Sequence, residues 1–158
     1  MPPLVLYDPL RRPSKSKDPL RPPPDRRTLM TRQTTHVDPT ELHHNPAFTQ
    51  GVIAPAGPTL YVGGQNGIDS QGELAEGIEA QTTQAMMNVL AVLAAAGTGP
   101  ENVVKLTIYL TGSIDPRVAF GASQSVWGNY RTAISVLIVA GLAIPGALVE
   151  VDAIALIP

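Results

Sequence analysis

Two carboxylates one residue apart, Glu150 and Asp152, interrupt an otherwise apolar run from Ala147 to Ile157. As a strand the run alternates: Leu148, Glu150, Asp152 and Ile154 share one face, Val149, Val151, Ala153 and Ala155 the other. A water-facing strand surface accounts for the pair without any chemistry. If that face instead lines a pocket, partial desolvation raises the proton affinity of Glu150 and suits it to general base work. A second constellation, Gly63-Gly64-Gln65-Asn66-Gly67, closes an earlier apolar segment, and its glycines let a ligand approach backbone amides. A simple turn is the competing reading. A phosphate loop is excluded, since no Gly-Lys-Ser/Thr follows and the dinucleotide spacing is not met.

Other chemistries find little support. There is no cysteine, hence no disulfide, thiolate nucleophile or sulfur-ligated metal. His43 and His44 are adjacent and would face opposite ways on a strand, His36 lies further upstream, and no third ligand stands at metal spacing. We therefore expect no metal and no cofactor. Ser123 and Ser125 have no nearby His and Asp to complete a triad. Trp127 and Tyr130 read as core more readily than as a ligand platform.

The elements that would position Glu150 follow from periodicity. Gln50 to Ala54 and Thr59 to Gly64 read as two strands, with Pro55-Ala56-Gly57-Pro58 turning between them as a hairpin. Ile78, Ala85, Met86, Val89, Leu90 and Leu93 recur at helical spacing between Glu76 and Ala96, with Gly97 at the C-terminal cap position. Val104, Leu106, Ile108 and Leu110 alternate with Lys105, Thr107 and Tyr109 as a strand, and a shorter helix is expected from Pro116 to Trp127. Ala133 to Leu142 and Ala147 to Ile157 are strands apolar on both faces. Two helices can cover only one side of the sheet, so a second subunit is the economical cover for the other.

Residues 1–37 carry eight of the 16 prolines and no strand or helix periodicity. We expect a disordered, basic, Pro-rich leader over 1–37, lacking the apolar core of an export signal, and one folded domain over 38–158. Charge divides in the same way: residues 1–32 hold eight Lys/Arg against three Asp/Glu, whereas the remainder holds three against ten. An acidic body repels phosphate backbones, which argues against nucleic-acid binding by the folded part. No segment reaches the roughly 20 apolar residues of a membrane span. A cysteine-free chain without an export signal is expected in the cytoplasm.

Read in order, NPAFTQGV, LYVGGQNGID, GELAEGIEAQTTQAMMNVLAVLAAAG, ENVVKLTIYLTG, RTAISVLIVAGL and GALVEVDAIAL resemble the successive signature blocks of the reactive-intermediate deaminase (Rid, YjgF-like) family, from about residue 45 to the end. The resemblance implies an α+β, chorismate-mutase-like domain with a mixed sheet packed on two helices. It also implies a homotrimer whose sheets form a central barrel, with small-molecule pockets at the subunit interfaces. Characterised members hydrolyse enamines and imines to carbonyl compounds and ammonia; some have been described as ribonucleases or translation inhibitors. Glu150 matches the carboxylate thought to activate water, and Phe48, Gly63, Gly64, Gln65, Ile134 and Ser135 fall on ligand-binding positions. Three of these depart from the pattern: Phe48 replaces a tyrosine, Gly63 a serine, and Ile134 the arginine that pairs with a substrate carboxylate. Arg131, Trp127 and Asp152 stand close enough in sequence to be further candidates. The reading is a hydrolase or deaminase for a less anionic electrophile, with a non-catalytic metabolite- or partner-binding trimer as the alternative.

Overall fold

The computed structural model describes residues 34–158 apart from residue 113. A small antiparallel sheet joins β1 (Thr35–Val37) to β2 (Gly51–Ile53). The main sheet comprises β3 (Thr59–Asn66), β4 (Val103–Thr111), β5 (Ala133–Val139) and β6 (Val149–Leu156), in the order β3-β6-β4-β5. It is mixed, because β4 and β5 run parallel while β6 is antiparallel to both β3 and β4. Helices α1 (Gly77–Ala95) and α2 (Pro116–Trp127) pack against one another, and α1 also lies on β3 and β6. The architecture is α+β, as expected from the sequence.

Local chemistry sets the helix limits. Ser/Thr/Asp-type capping starts α2: the Asp115 side chain accepts from the Arg117 N–H at 2.9 Å, and Pro116 takes the first helical position. At the other end of α1, the Thr98 N–H donates to the Leu93 carbonyl and the Gly97 N–H to that of Ala94, the paired bonds of a Schellman cap. The buried face of α1 is Gln81, Thr82, Ala85, Met86, Val89 and Leu93, spaced at three and four residues as one helix face requires. It meets Val149, Val151, Ala153 and Ala155 of β6 and Leu106 and Leu110 of β4 in a single core. Each large side chain there contributes roughly 1.5–3 kcal/mol by leaving water.

Two expectations are revised. The Gln50–Ala54 and Thr59–Gly64 strands do not form a hairpin, because β2 pairs with β1 and β3 pairs with β6. The expected turn at Pro55 to Pro58 is a bend at Ala56 and Gly57, and the two strands it joins enter different sheets. Second, Thr35–Val37 form β1, so the boundary expected after residue 37 falls at the end of a strand rather than before the fold begins. Most of the anticipated leader, residues 1–33, lies outside the described residues. Among the described residues no helix is long and apolar enough to cross a membrane.

One close approach ties β3 and β6 to α1. Gly67 is buried, and a Cβ there would lie 2.5 Å from the Cα and 2.7 Å from the carbonyl oxygen of Gln81. The Gln81 carboxamide in turn donates to the Gly146 carbonyl at 3.1 Å and accepts from the Leu148 N–H at 2.7 Å, fixing the chain two residues ahead of Glu150. Gly67→Ala must push the α1 backbone rather than a side-chain tip, and is expected to cost about 1–3 kcal/mol. Chemical denaturation measures that loss; an unchanged midpoint would show that α1 is free to shift.

Candidate functional site

Strand β6 alternates as anticipated, with Val149, Val151, Ala153 and Ala155 buried and Glu150, Asp152 and Ile154 half-buried on the face away from the helices. Register places Tyr109 opposite Glu150 and Thr107 opposite Asp152 on β4, and Asn66 of β3 on the other flank of Glu150. The Asn66 carboxamide donates to Glu150 Oε2 at 3.3 Å and to the Val149 carbonyl at 3.0 Å. The Tyr109 hydroxyl donates to Asp152 Oδ2 at 3.1 Å, and that carboxylate pushes the phenol above its ordinary pKa. On β5, Ser135 accepts from the Lys105 ammonium. This open face is therefore polar in its middle and carries both carboxylates.

Gly64 explains the position of the Glu150 carboxylate. The β3–β6 register shifts between Val62 and Gln65, which lifts Gly63 and Gly64 out of the ladder, and a Cβ on Gly64 would overlap the Glu150 carboxylate. Glycine is thus required here for the acid to lie over the bulge. Gln65 turns its carboxamide back onto the Gly63 carbonyl at 3.0 Å. Glu150, Asp152, Gly63, Gly64 and Ser135 accordingly share one side of the sheet.

Phe48, Trp127 and Ile134 gather on the other side. Ile134 pairs with Leu106 and packs against the core, so its side chain points toward the helices. With Phe48, Trp127, Val136, Phe120 and Met86 it lines a cavity of about 320 Å³ between α2 and strands β4 and β5. Trp127 is buried and its indole N–H donates to the Tyr130 carbonyl at 2.8 Å, so it is held in place. Within one chain, the residues anticipated as a single site form two groups on opposite faces.

Arg131 has a different role from either group. Its guanidinium donates to Asp38 Oδ2 and to the Phe48 carbonyl, each at 2.9 Å. Asp38 Oδ1 also accepts from the Gln50 N–H at 2.9 Å and the Thr49 hydroxyl at 3.0 Å. The clasp joins the segment after β1, the segment before β2 and the start of β5, and it fixes Phe48 at the cavity. Asp38, Asn66 and Tyr109 were not singled out from the sequence. Asn66 stands inside the glycine-rich motif, while Asp38 and Tyr109 gain importance only through register and chain crossing. His36, His43 and His44 are exposed, and no cluster of metal-ligating side chains occurs among the described residues.

The fold has known counterparts. The family described as Endoribonuclease L-PSP matches residues 40–157, and the chain belongs to it, the Rid/YjgF family. Protein DfrA from Myxococcus xanthus is 35% identical over 131 residues, covering 80% of this chain and 96% of that protein. The 2-iminobutanoate/2-iminopropanoate deaminase from Rattus norvegicus is 34% identical over 119 residues, covering 69% of this chain and 79% of the rat protein. Among solved structures, the Rid-family protein YyfB from Yersinia pestis superposes with a TM-score of 0.71 at 29% identity, covering 79% of this chain and 99% of that one.

The clasp has a pH signature. The Gln50 N–H, together with Arg131 and Thr49, holds the Asp38 carboxyl down to about 2 from its usual 3.8, against the opposing effect of burial. A folded-state pKa below the unfolded one gives stability that is complete above pH 3.8 and is lost as pH falls through 2. Asp38→Asn should therefore lower the melting temperature at pH 7, and the gap to wild type should close as pH approaches 2. Calorimetric scans across that range check it; a gap independent of pH would count against the clasp.

Proposed function

We propose that this protein is a Rid-type hydrolase acting on a neutral or weakly anionic imine, enamine or related electrophile, with Glu150 as general base. The observation that carries the reading is the Glu150 carboxylate laid over the side-chain-free Gly64 and oriented by the Asn66 amide. Glu150 would take a proton from water as its oxygen adds to the C=N carbon, then return it to nitrogen. Glu150 would then take the proton of the carbinolamine hydroxyl and pass it to the same nitrogen, so that the C–N bond breaks, the amine leaves and a carbonyl compound remains. Backbone amides of the Gly63-Gly64 bulge are the candidates to bind the electrophile.

The reading includes a homotrimer in the cytoplasm. Val136, Leu137 and Ile138 of the edge strand β5 are 41–56% exposed, an apolar row on both faces that a second copy would cover. Assembly would also unite the two groups, by setting the Glu150 face of one copy against the Phe48–Ile134 cavity of the next. Multi-angle light scattering should give three times the monomer mass; a stable monomer rejects this assembly.

A carboxylate-bearing substrate meets Ile134 where the resemblance places a guanidinium, and Arg131 is engaged with Asp38. Loss of a charge-assisted pair in a desolvated pocket is worth a few kcal/mol, or about a hundredfold in rate. Glu150→Gln should abolish imine hydrolysis while leaving the fold intact, and Ile134→Arg should raise kcat/KM on 2-iminobutanoate. Steady-state kinetics on neutral imines and on 2-iminobutanoate decide between outcomes. Full activity in Glu150→Gln rejects the base, and wild-type turnover of the imino acid that Ile134→Arg fails to raise rejects the missing clamp. A non-catalytic binder is the second reading, favoured by a cavity lined almost wholly with apolar side chains. The ribonuclease reading is disfavoured by the net charge of the body, three Lys/Arg against ten Asp/Glu.

A further inference from the structure

The two oxygens of Glu150 have different surroundings. Oε1 is the atom nearest to where a Cβ on Gly64 would lie, so it rests over the bulge. Oε2 accepts from the Asn66 carboxamide at 3.3 Å, beyond the usual N–H···O range, so a small displacement of Asn66 is enough to lose the contact. Asn66 is the last residue of β3, where the pairing with β6 ends. It is held there from α1. The Asn88 carboxamide donates to the Asn66 carbonyl at 3.0 Å and to the Ile68 carbonyl at 2.8 Å, and its Oδ1 accepts from the Gln84 carboxamide at 2.9 Å. Both N–H groups and the oxygen are engaged, which leaves the amide one orientation. The Ile68 N–H donates to the same Asn66 carbonyl at 2.8 Å, so the chain turns tightly at Gly67 while the helix grips the carbonyls on either side of it. Three amides, Gln84, Asn88 and Asn66, thus run in series from α1 to the acid.

We propose that Asn88 is a positioning residue for Glu150, which it orients through Asn66 so that Oε2 is occupied and Oε1 takes the proton from water. Asn88 itself donates to main-chain carbonyls and not to the carboxylate. By fixing the Asn66 carbonyl it fixes the peptide plane that follows Asn66, and with it the direction in which the carboxamide reaches. A carboxylate free to rotate would present either oxygen, or neither, to a water beside the electrophile. With Oε2 engaged, Oε1 is left over the Gly63-Gly64 bulge, whose amides are the candidates to bind that electrophile. The inference rests on the proposed role of Glu150 as general base and deepens it, by naming the oxygen that acts and the side chain that selects it.

The test reads the Asn66 side chain directly, by proton–nitrogen correlation NMR of the full-length protein. In the otherwise wild-type chain, Glu150→Gln should shift the Asn66 carboxamide protons, because it removes the charge they face. In Asn88→Ala the Asn66 signals should move to the values of a free amide and stop responding to Glu150→Gln. Gln84→Ala, which removes only the support of Asn88 Oδ1, should move the same signals in the same direction by less, and takes over the test if Asn88→Ala does not fold. Steady-state kinetics on a neutral imine supply the second readout: Asn88→Ala should lower kcat about tenfold with KM unchanged, since the acid is misaimed while Asn88 touches no substrate. Asn66 signals that still follow Glu150 in the folded variants, or a change in KM alone, would overturn the positioning role. The two readouts also separate this inference from the hydrolase reading. Loss of the Asn66 response in Asn88→Ala, with no imine turned over by wild type, leaves the chain of amides standing as the device that orients Glu150 and rejects the hydrolase. Imine turnover by a wild-type protein whose Asn66 signals ignore Glu150→Gln does the reverse.

Discussion

Strand β6 can bury Val149, Val151, Ala153 and Ala155 against the helices only by turning Glu150, Asp152 and Ile154 to the other side of the sheet. Because β6 lies between β3 and β4, both neighbours must match that alternation. Register then determines which side chains meet the carboxylates: Asn66 and Tyr109 beside Glu150, Thr107 opposite Asp152. A slip of one residue would send two carboxylates into a core made of Met86, Val89, Leu93, Leu106 and Leu110. The hydrophobic core thus specifies the location of the acid from the opposite side of the sheet. The Gln81 carboxamide secures the same register from the helix side through Leu148, and the absence of a Cβ at Gly67 lets α1 approach closely enough to do so.

How much of this was legible in the sequence depends on whether a residue acts through period or through crossing. The limits of α2, the alternation of β4 and β6, and the cap at Gly97 are local, and all are readable from spacing and residue type. The β1–β2 pairing is not. Three-residue strands carry too few side chains to show a period, and the turn at Pro55 to Pro58 signals reversal without saying which strand is the partner. The Asp38 clasp is invisible for the same reason, since it joins residues 93 apart whose proximity is a product of tertiary structure. Arg131 in sequence looks like a spare cation near a ligand position. In the fold it is a brace that holds the Phe48 backbone.

The site shows a further limit of reading from sequence. Glu150, Gly64 and Ile134 can be picked out as chemically relevant, but a strand pattern cannot tell that Glu150 and Ile134 lie on opposite sides of one sheet. Period two places Ile134 with Leu106 and Ala153, both buried, and Glu150 on the alternate face. The polar half and the apolar half are therefore separated by the thickness of the sheet in any single chain.

Under the proposed reading, that separation would make the chemistry conditional on assembly. An acid on the open face of an isolated chain stays partly hydrated, and a carboxylate in water is too weak a base to activate a second water at neutral pH. A cavity on the helix side, without an acid, can bind but has no group to move protons. Were one copy to cover the open face of another, as proposed, the same contact would close over Glu150 and set an apolar wall opposite it, so that water exclusion and substrate placement would be a single event. The exposed row of Val136, Leu137 and Ile138 on β5 supplies apolar area for that contact, adjacent to the cavity that Val136 itself lines. Under that proposal one contact would bury the acid and bring the apolar wall to it, so a chain that stayed single would hold neither half of the site complete.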